Sequence, residues 1–148
     1  MYTVRHLLDA KSNQVWTIPP QASVYEALEL MASKNIGAVL VLESDKIVGI
    51  FTERDYARKV ILKGKTSKTV TVGELMTTEV FYVKPDDTIE SCMAIMTDKR
   101  ARHLPVIENE KLVGVASIGD VVKAIISDRE FIIRELERYI TGGHSSMP

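Results

Sequence analysis

Slid against itself by about 65 residues, the chain overlays residues 18–59 on residues 83–124 without a gap. Pro20 falls on Pro85, Met31 on Met96, Lys34 on Lys99, Val41 on Val106 and Asp55 on Asp120. Lys46-Ile47-Val48-Gly49 falls on Lys111-Leu112-Val113-Gly114, and upstream TVRHLL at 3–8 resembles TVGELM at 71–76. A fixed self-similarity of this kind means one supersecondary unit used twice. Whatever fold one half adopts, the other must adopt as well.

Each half has the same readable order. A short extended piece (VWTIPP, VFYVKP) is ended by proline, which removes a ladder donor. A helix follows, with Val24, Leu28, Met31 and Ala32 in the first copy and Ile89, Met93 and Met96 in the second at helical spacing. Two β runs come next, AVLVLE with KIVGIFT and LPVIE with KLVGVAS, joined by the polar turns SDK and NEK. A helix closes each unit, from Glu53 and from near Ile118. The second continues through DREFIIRELERYI, where Ile132, Leu136 and Ile140 repeat every four residues.

The expected fold class is therefore α+β, two pseudo-symmetric β-α-β-β-α repeats packed through their sheets. A single copy of about 60 residues is marginal alone, which favours one pseudo-two-fold body over independent beads. The boundaries expected are 1–63 for the first repeat with an N-terminal helix, 64–71 for a connector and 72–126 for the second repeat. Residues 127–141 form a C-terminal helical extension and 142–148 a flexible tail.

Composition excludes several partners. Net charge is −1, with Lys+Arg 19 against Asp+Glu 20, so no basic field draws nucleic acid or an anionic membrane. The longest apolar run, IGAVLVL at 36–42, is well short of the roughly 20 residues a membrane helix needs. MYTVRHLLDAKSNQ lacks the apolar core of a signal peptide. The single cysteine, Cys92, cannot form an internal disulfide, and a reducing, cytoplasmic location is expected.

One motif survives in both copies with altered surroundings. GIFTERD at 49–55 becomes GVASIGD at 114–120, keeping the glycine, the hydroxyl and the aspartate while Glu53-Arg54 becomes Ile118-Gly119. A hydroxyl at a helix start with an acid three residues on is close to a capping box, where Glu or Gln is the usual acid. The alternative is a ligand cradle. Orphan N–H groups at a helix start suit a phosphate, and a carboxylate one turn in can accept both hydroxyls of a ribose. Gly49 and Gly114 lie inside strands, where glycine often marks close approach of another backbone or a ligand. The residues alone leave cap and cradle open.

NIGAVLVLESDKIVGIFTERD and RARHLPVIENEKLVGVASIGD together resemble the tandem CBS domain pair, or Bateman module, from Thr3 to about Ile126. The resemblance implies a regulatory module of the stand-alone two-CBS type, binding an adenosyl ligand (AMP, ADP, ATP, NAD(H) or S-adenosylmethionine) in clefts between the repeats. In that family the Asp holds the ribose, the Ser or Thr contacts phosphate, and main chain near the first strand reads adenine. Carried over, one cleft uses Ser117 and Asp120 with Thr17, Ile18, Pro19, Gly37 and Ala38. Its mate uses Thr52 and Asp55 with the stretch Tyr82 to Pro85, Val83 included. Arg102 and His103 fall near the phosphate region. Because Gly37-Ala38 leaves room for a base where Arg102-His103 crowds it, the Asp120 cleft is expected to be the better site. The resemblance also implies a homodimer through helices, for which Phe131, Ile132, Leu136 and Ile140 offer an apolar stripe.

Other chemistry is weakly signalled. Arg54, Arg58, Lys59 and Lys63 read as a solvated face, although Arg54 is placed to reach a phosphate. His103 lacks the nucleophile or second acid of a catalytic motif. His6, His103 and His144 are too scattered for zinc. Cys92 aligns with Ala27 and reads as a small core residue, as do Met31, Met93 and Met96. Trp16 is a candidate shield for a base or a packing residue. A nucleotide-processing enzyme and a ligand-free interaction scaffold stand as the alternatives, and an unidentified protein target remains open.

Overall fold

The computed structural model describes residues 2–9 and 14–141. The expected tail at 142–148, His144 included, lies outside the described residues. Contacts divide the chain into two compact units, one comprising Val15–Val80 and the other joining the N-terminal segment to residues from Phe81 onward.

The Val15–Val80 unit holds β1 (Thr17–Ile18), α2 (Val24–Lys34), β2 (Ala38–Glu43) and β3 (Lys46–Thr52). After these come α3 (Glu53–Tyr56) and α4 (Val72–Leu75), while α1 (Val4–Asp9) belongs to the other unit. The sheet runs β1-β2-β3, with β1 parallel to β2 and β2 antiparallel to β3. Its core gathers Ile18, Val24, Ala27, Met31, Val39, Val41, Phe51, Val60 and Val72.

The other unit holds α1 (Val4–Asp9), α5 (Ile89–Lys99), β4 (His103–Glu108), β5 (Lys111–Ser117) and α6 (Ile118–Ile140). β4 and β5 form an antiparallel pair, and Val83 adds a parallel bridge to Val106 where the first repeat has a two-residue strand. Its core gathers Val4, Leu7, Leu8, Ile89, Cys92, Met96, Leu104, Val106, Ala116 and Val121.

Local chemistry matches copy to copy. Ser23 and Thr88 cap α2 and α5, each side chain accepting from the N–H three residues on. Both helices end on a left-handed residue, Asn35 and Arg100. The hairpins turn through Ser44-Asp45 and Asn109-Glu110, all with positive φ, as two-residue turns between right-twisted strands require. Each hairpin carries a register shift at the same place, between Val41 and Leu42 and between Val106 and Ile107.

Two features differ from expectation. The lead helices are exchanged: α1 docks on the second repeat, not the first, through Val4 N–H to the Asp87 carbonyl (2.8 Å) and Arg5 N–H to the Pro85 carbonyl (2.9 Å). In the same way α4 docks on the first repeat, through Val72 N–H to Ala22 (2.8 Å) and Gly73 N–H to Pro20 (2.9 Å). The compact units thus place α1 with the second repeat and α4 with the first. The physical reason is that a short apolar helix goes where its face is buried, whichever repeat precedes it in sequence. The first closing helix is also irregular, α3 passing into a π turn over Ala57–Ile61, whereas α6 runs unbroken for 23 residues.

Candidate functional site

Both copies of the Thr/Ser-x-x-Asp motif sit where a β strand turns directly into a helix. The strand register sets their neighbours. Thr52 lies opposite Ala38 across β2 and β3, and Glu53 N–H donates to the Gly37 carbonyl at 3.1 Å. Ser117 lies opposite His103 across β4 and β5, and Ile118 N–H donates to the Arg102 carbonyl at 2.9 Å. The structure thus groups Gly37, Ala38, Thr52, Arg54 and Asp55 in one unit, and Arg102, His103, Ser117 and Asp120 in the other.

Each pair closes a complete capping box. Asp55 N–H donates to Thr52 Oγ1 (3.1 Å) while Thr52 N–H donates to Asp55 Oδ2 (3.0 Å). Asp120 N–H donates to Ser117 Oγ (3.2 Å) while Ser117 N–H donates to Asp120 Oδ2 (3.2 Å). Aspartate is long enough to close both boxes, so the preference for Glu or Gln at this position does not separate cap from cradle.

The carboxylates differ in surroundings. Asp55 is 7% exposed, and its Oδ2 also accepts from Thr52 Oγ1 at 3.1 Å. Its Oδ1 accepts from Thr77 Oγ1 and from the Lys59 ammonium, both at 3.0 Å. Lys59 also donates to the Leu75 carbonyl at 2.9 Å. Asp120 is only half-buried, at the start of the long α6.

The other sequence candidates divide by accessibility. Thr17 and Pro19 are exposed beside Ile18, whose side chain belongs to the core. Gly37, Ala38, Arg54 and His103 are half-buried, and Arg102 is exposed. Val83 is 1% exposed, its N–H donates to Pro105 and its carbonyl accepts from Ile107. Its main-chain N–H and carbonyl are both paired within the sheet, and its side chain lies in the core. The Lys34 ammonium sits 4.3 Å from the Trp16 ring centre, a cation–π contact.

The strand glycines have a packing explanation. A Cβ on Gly49 would lie 2.6 Å from Met76 Sδ and 2.9 Å from the Thr77 carbonyl oxygen; on Gly114 it would lie 2.5 Å from Leu8. The close approach read from sequence is that of the docked lead segments, not of a ligand. Sequence reasoning missed Thr77 and passed over Lys59 as surface charge. Among the described residues no group of three or more His, Cys, Asp or Glu is arranged to hold a metal, and no helix is long and apolar enough to cross a membrane.

The CBS domain family model matches residues 4–62 and again 72–127. The mitochondrial CBS domain-containing protein CBSX3 of Arabidopsis thaliana is 41% identical over 127 residues, covering 82% of this chain and 62% of its own length. The chain thus spans somewhat under two thirds of that relative. A solved protein with CBS domains from Burkholderia ambifaria is 50% identical with a TM-score of 0.82, covering 85% of this chain and 95% of its own. CBSX2, solved in complex with AMP, is 26% identical with a TM-score of 0.70, covering 87% and 99%. Two family matches in register with the repeat, on an α+β fold shared with these structures, establish that this chain belongs to the CBS domain family as a tandem CBS pair.

Proposed function

We propose that the chain is a regulatory, non-catalytic module that binds an adenosyl ligand of the AMP, ADP, ATP or NAD(H) class, Ser117 and Asp120 contacting phosphate and ribose. The observation that carries this reading is the difference in burial between the two aspartates. Asp120 stands half-buried at the start of a 23-residue helix, whereas Asp55 is buried. The 26%-identical CBSX2, which holds AMP, supports the ligand class. Arg102 and His103, adjacent to Ser117 across the hairpin, are the proposed phosphate-side residues. Regulation would follow from differential affinity, the ligand shifting the chain only as far as it prefers one arrangement.

A second copy of the chain is the proposed partner of α6, whose Ile126, Phe131, Ile133, Leu136 and Ile140 are more than half exposed. A buried, lone thiol suits a reducing compartment such as the cytoplasm.

One observation favours the scaffold reading instead: both capping boxes are complete, so each hydroxyl and aspartate has a structural task without a ligand. Thermal unfolding at rising AMP concentration separates the two. A ligand module gains about 2.7 kcal/mol at a hundredfold excess over Kd, while a scaffold shows no shift. Release of adenosine, phosphate or AMP from AMP, ATP or NADH incubated with the protein would instead indicate an enzyme.

A further inference from the structure

The first-repeat aspartate is buried, and its partners are protein groups. Asp55 Oδ1 takes the Thr77 hydroxyl and the Lys59 ammonium, and the same ammonium reaches the Leu75 carbonyl. Two side chains of α3 and its π turn thus converge on the segment Leu75–Thr77. The backbone of that segment is already paired with β3, since Ile50 N–H donates to Thr77 (2.9 Å) and Thr77 N–H donates to Ile50 (2.8 Å). Met76 between them fills the space above Gly49.

We infer that Asp55 and Lys59 form a latch that fastens Leu75–Thr77 to the edge of the first sheet, withdrawing Asp55 from ligand binding and limiting the chain to one adenosyl ligand. A ribose entering here would have to displace a charge-assisted contact to a carboxylate that is nine-tenths buried, and would leave the Lys59 ammonium half-satisfied. The second repeat lacks both donors of this device. Leu8 packs against Gly114 as Met76 packs against Gly49, which sets Asp9 at the place of Thr77, and the repeat sets Ala124 at the place of Lys59. A hydroxyl donor has become a carboxylate, and an ammonium has become a methyl group. The residues that separate the two copies are therefore Lys59 and Thr77.

This inference rests on the Asp120 set being the adenosyl site, and its test keeps the two apart. Lys59→Met retains the apolar stem and removes the charge; Asp55→Asn removes the anion. Amide hydrogen exchange followed by mass spectrometry reads the latch, and calorimetry with AMP reads the ligand. The latch predicts that Lys59→Met speeds exchange at Ile50 and Thr77 about tenfold or more, the effect of losing a hydrogen bond to a charged group. It also predicts one AMP per chain in the wild type and in Asp55→Asn, and an affinity for that AMP within about twofold of the wild type in both variants. Unchanged exchange in folded Lys59→Met, a second AMP bound by the wild type, or affinity lost in Asp55→Asn would each overturn the latch. Absence of AMP binding in the wild type would retire the ligand reading and leave the latch to stand or fall on the exchange rates. If Asp55→Asn does not fold, Lys59→Met decides alone.

Discussion

Met76 occupies the space a side chain would need at Gly49: its sulfur lies 2.6 Å from where a Cβ would stand, with the Thr77 carbonyl oxygen at 2.9 Å. The backbone atom cannot move aside without breaking the Ile50–Thr77 pair. Gly49→Ala is therefore expected to destabilise the fold by about 1–3 kcal/mol, the range for overpacking. At Gly37 the only near atom is the tip of Glu53, an exposed side chain free to swing away, so Gly37→Ala should change stability by less than about 0.5 kcal/mol. Urea unfolding of the two variants compares them directly; equal losses would contradict this account of the glycines.

Cys92 is fully buried on α5, at the position where the first repeat has the equally buried Ala27. Burial, helped by the nearby Asp87 and Glu90 charges, pushes its thiol up to about 11. The folded state then holds the thiol proton more tightly than the unfolded chain. Stability from this source is complete below the unfolded value near 9 and is lost as pH rises from there toward 11. Cys92→Ala should flatten the fall in stability across that window. Wild-type protein should also resist alkylation at pH 8 until it is unfolded; rapid labelling of the native protein would contradict the burial.

The exposed stripe on α6 predicts self-association. Ile133→Lys with Leu136→Lys alters two side chains that are already more than half exposed, so the fold should survive. Sedimentation equilibrium is expected to give twice the chain mass for the wild type and the chain mass for the double variant. A wild-type monomer would show that the stripe serves something other than a second copy.

Transplanting the latch donor tests the difference between the two repeats. Ala124→Lys places an ammonium four residues after Asp120, as Lys59 stands four after Asp55. It should weaken AMP at least about tenfold, the effect of a competing charged hydrogen bond, with Ala124→Met as the control for bulk. Equal affinity in both variants would mean that position 124 does not reach the carboxylate.

Much of the fold was readable because the repeat doubled every local signal. The β runs at Ala38–Glu43 and Lys46–Thr52, the polar turn between them and the helical spacing of Val24 to Met31 all became the elements they suggested. The long α6 followed from Ile132, Leu136 and Ile140. What was hidden depended on contacts distant in sequence. The exchange of α1 and α4 leaves no periodic trace, since either helix presents an apolar face that either repeat could bury. The motif Thr52-x-x-Asp55 was visible, but its meaning turned on Thr77, 22 residues away, and on Lys59, which in sequence looks like one more surface charge. The pairing of Val83 with Pro105 and Ile107 likewise joins residues distant in sequence and left no local trace.

The central claim, an adenosyl site built on Ser117 and Asp120, is tested most directly by calorimetric titration of AMP into the wild type and into Asp120→Asn. The account predicts saturable binding at one AMP per chain in the wild type and at least about a tenfold loss in the variant, the scale of a hydrogen bond to a charged group. Equal affinity in the two proteins, or no heat of binding in the wild type, would contradict it.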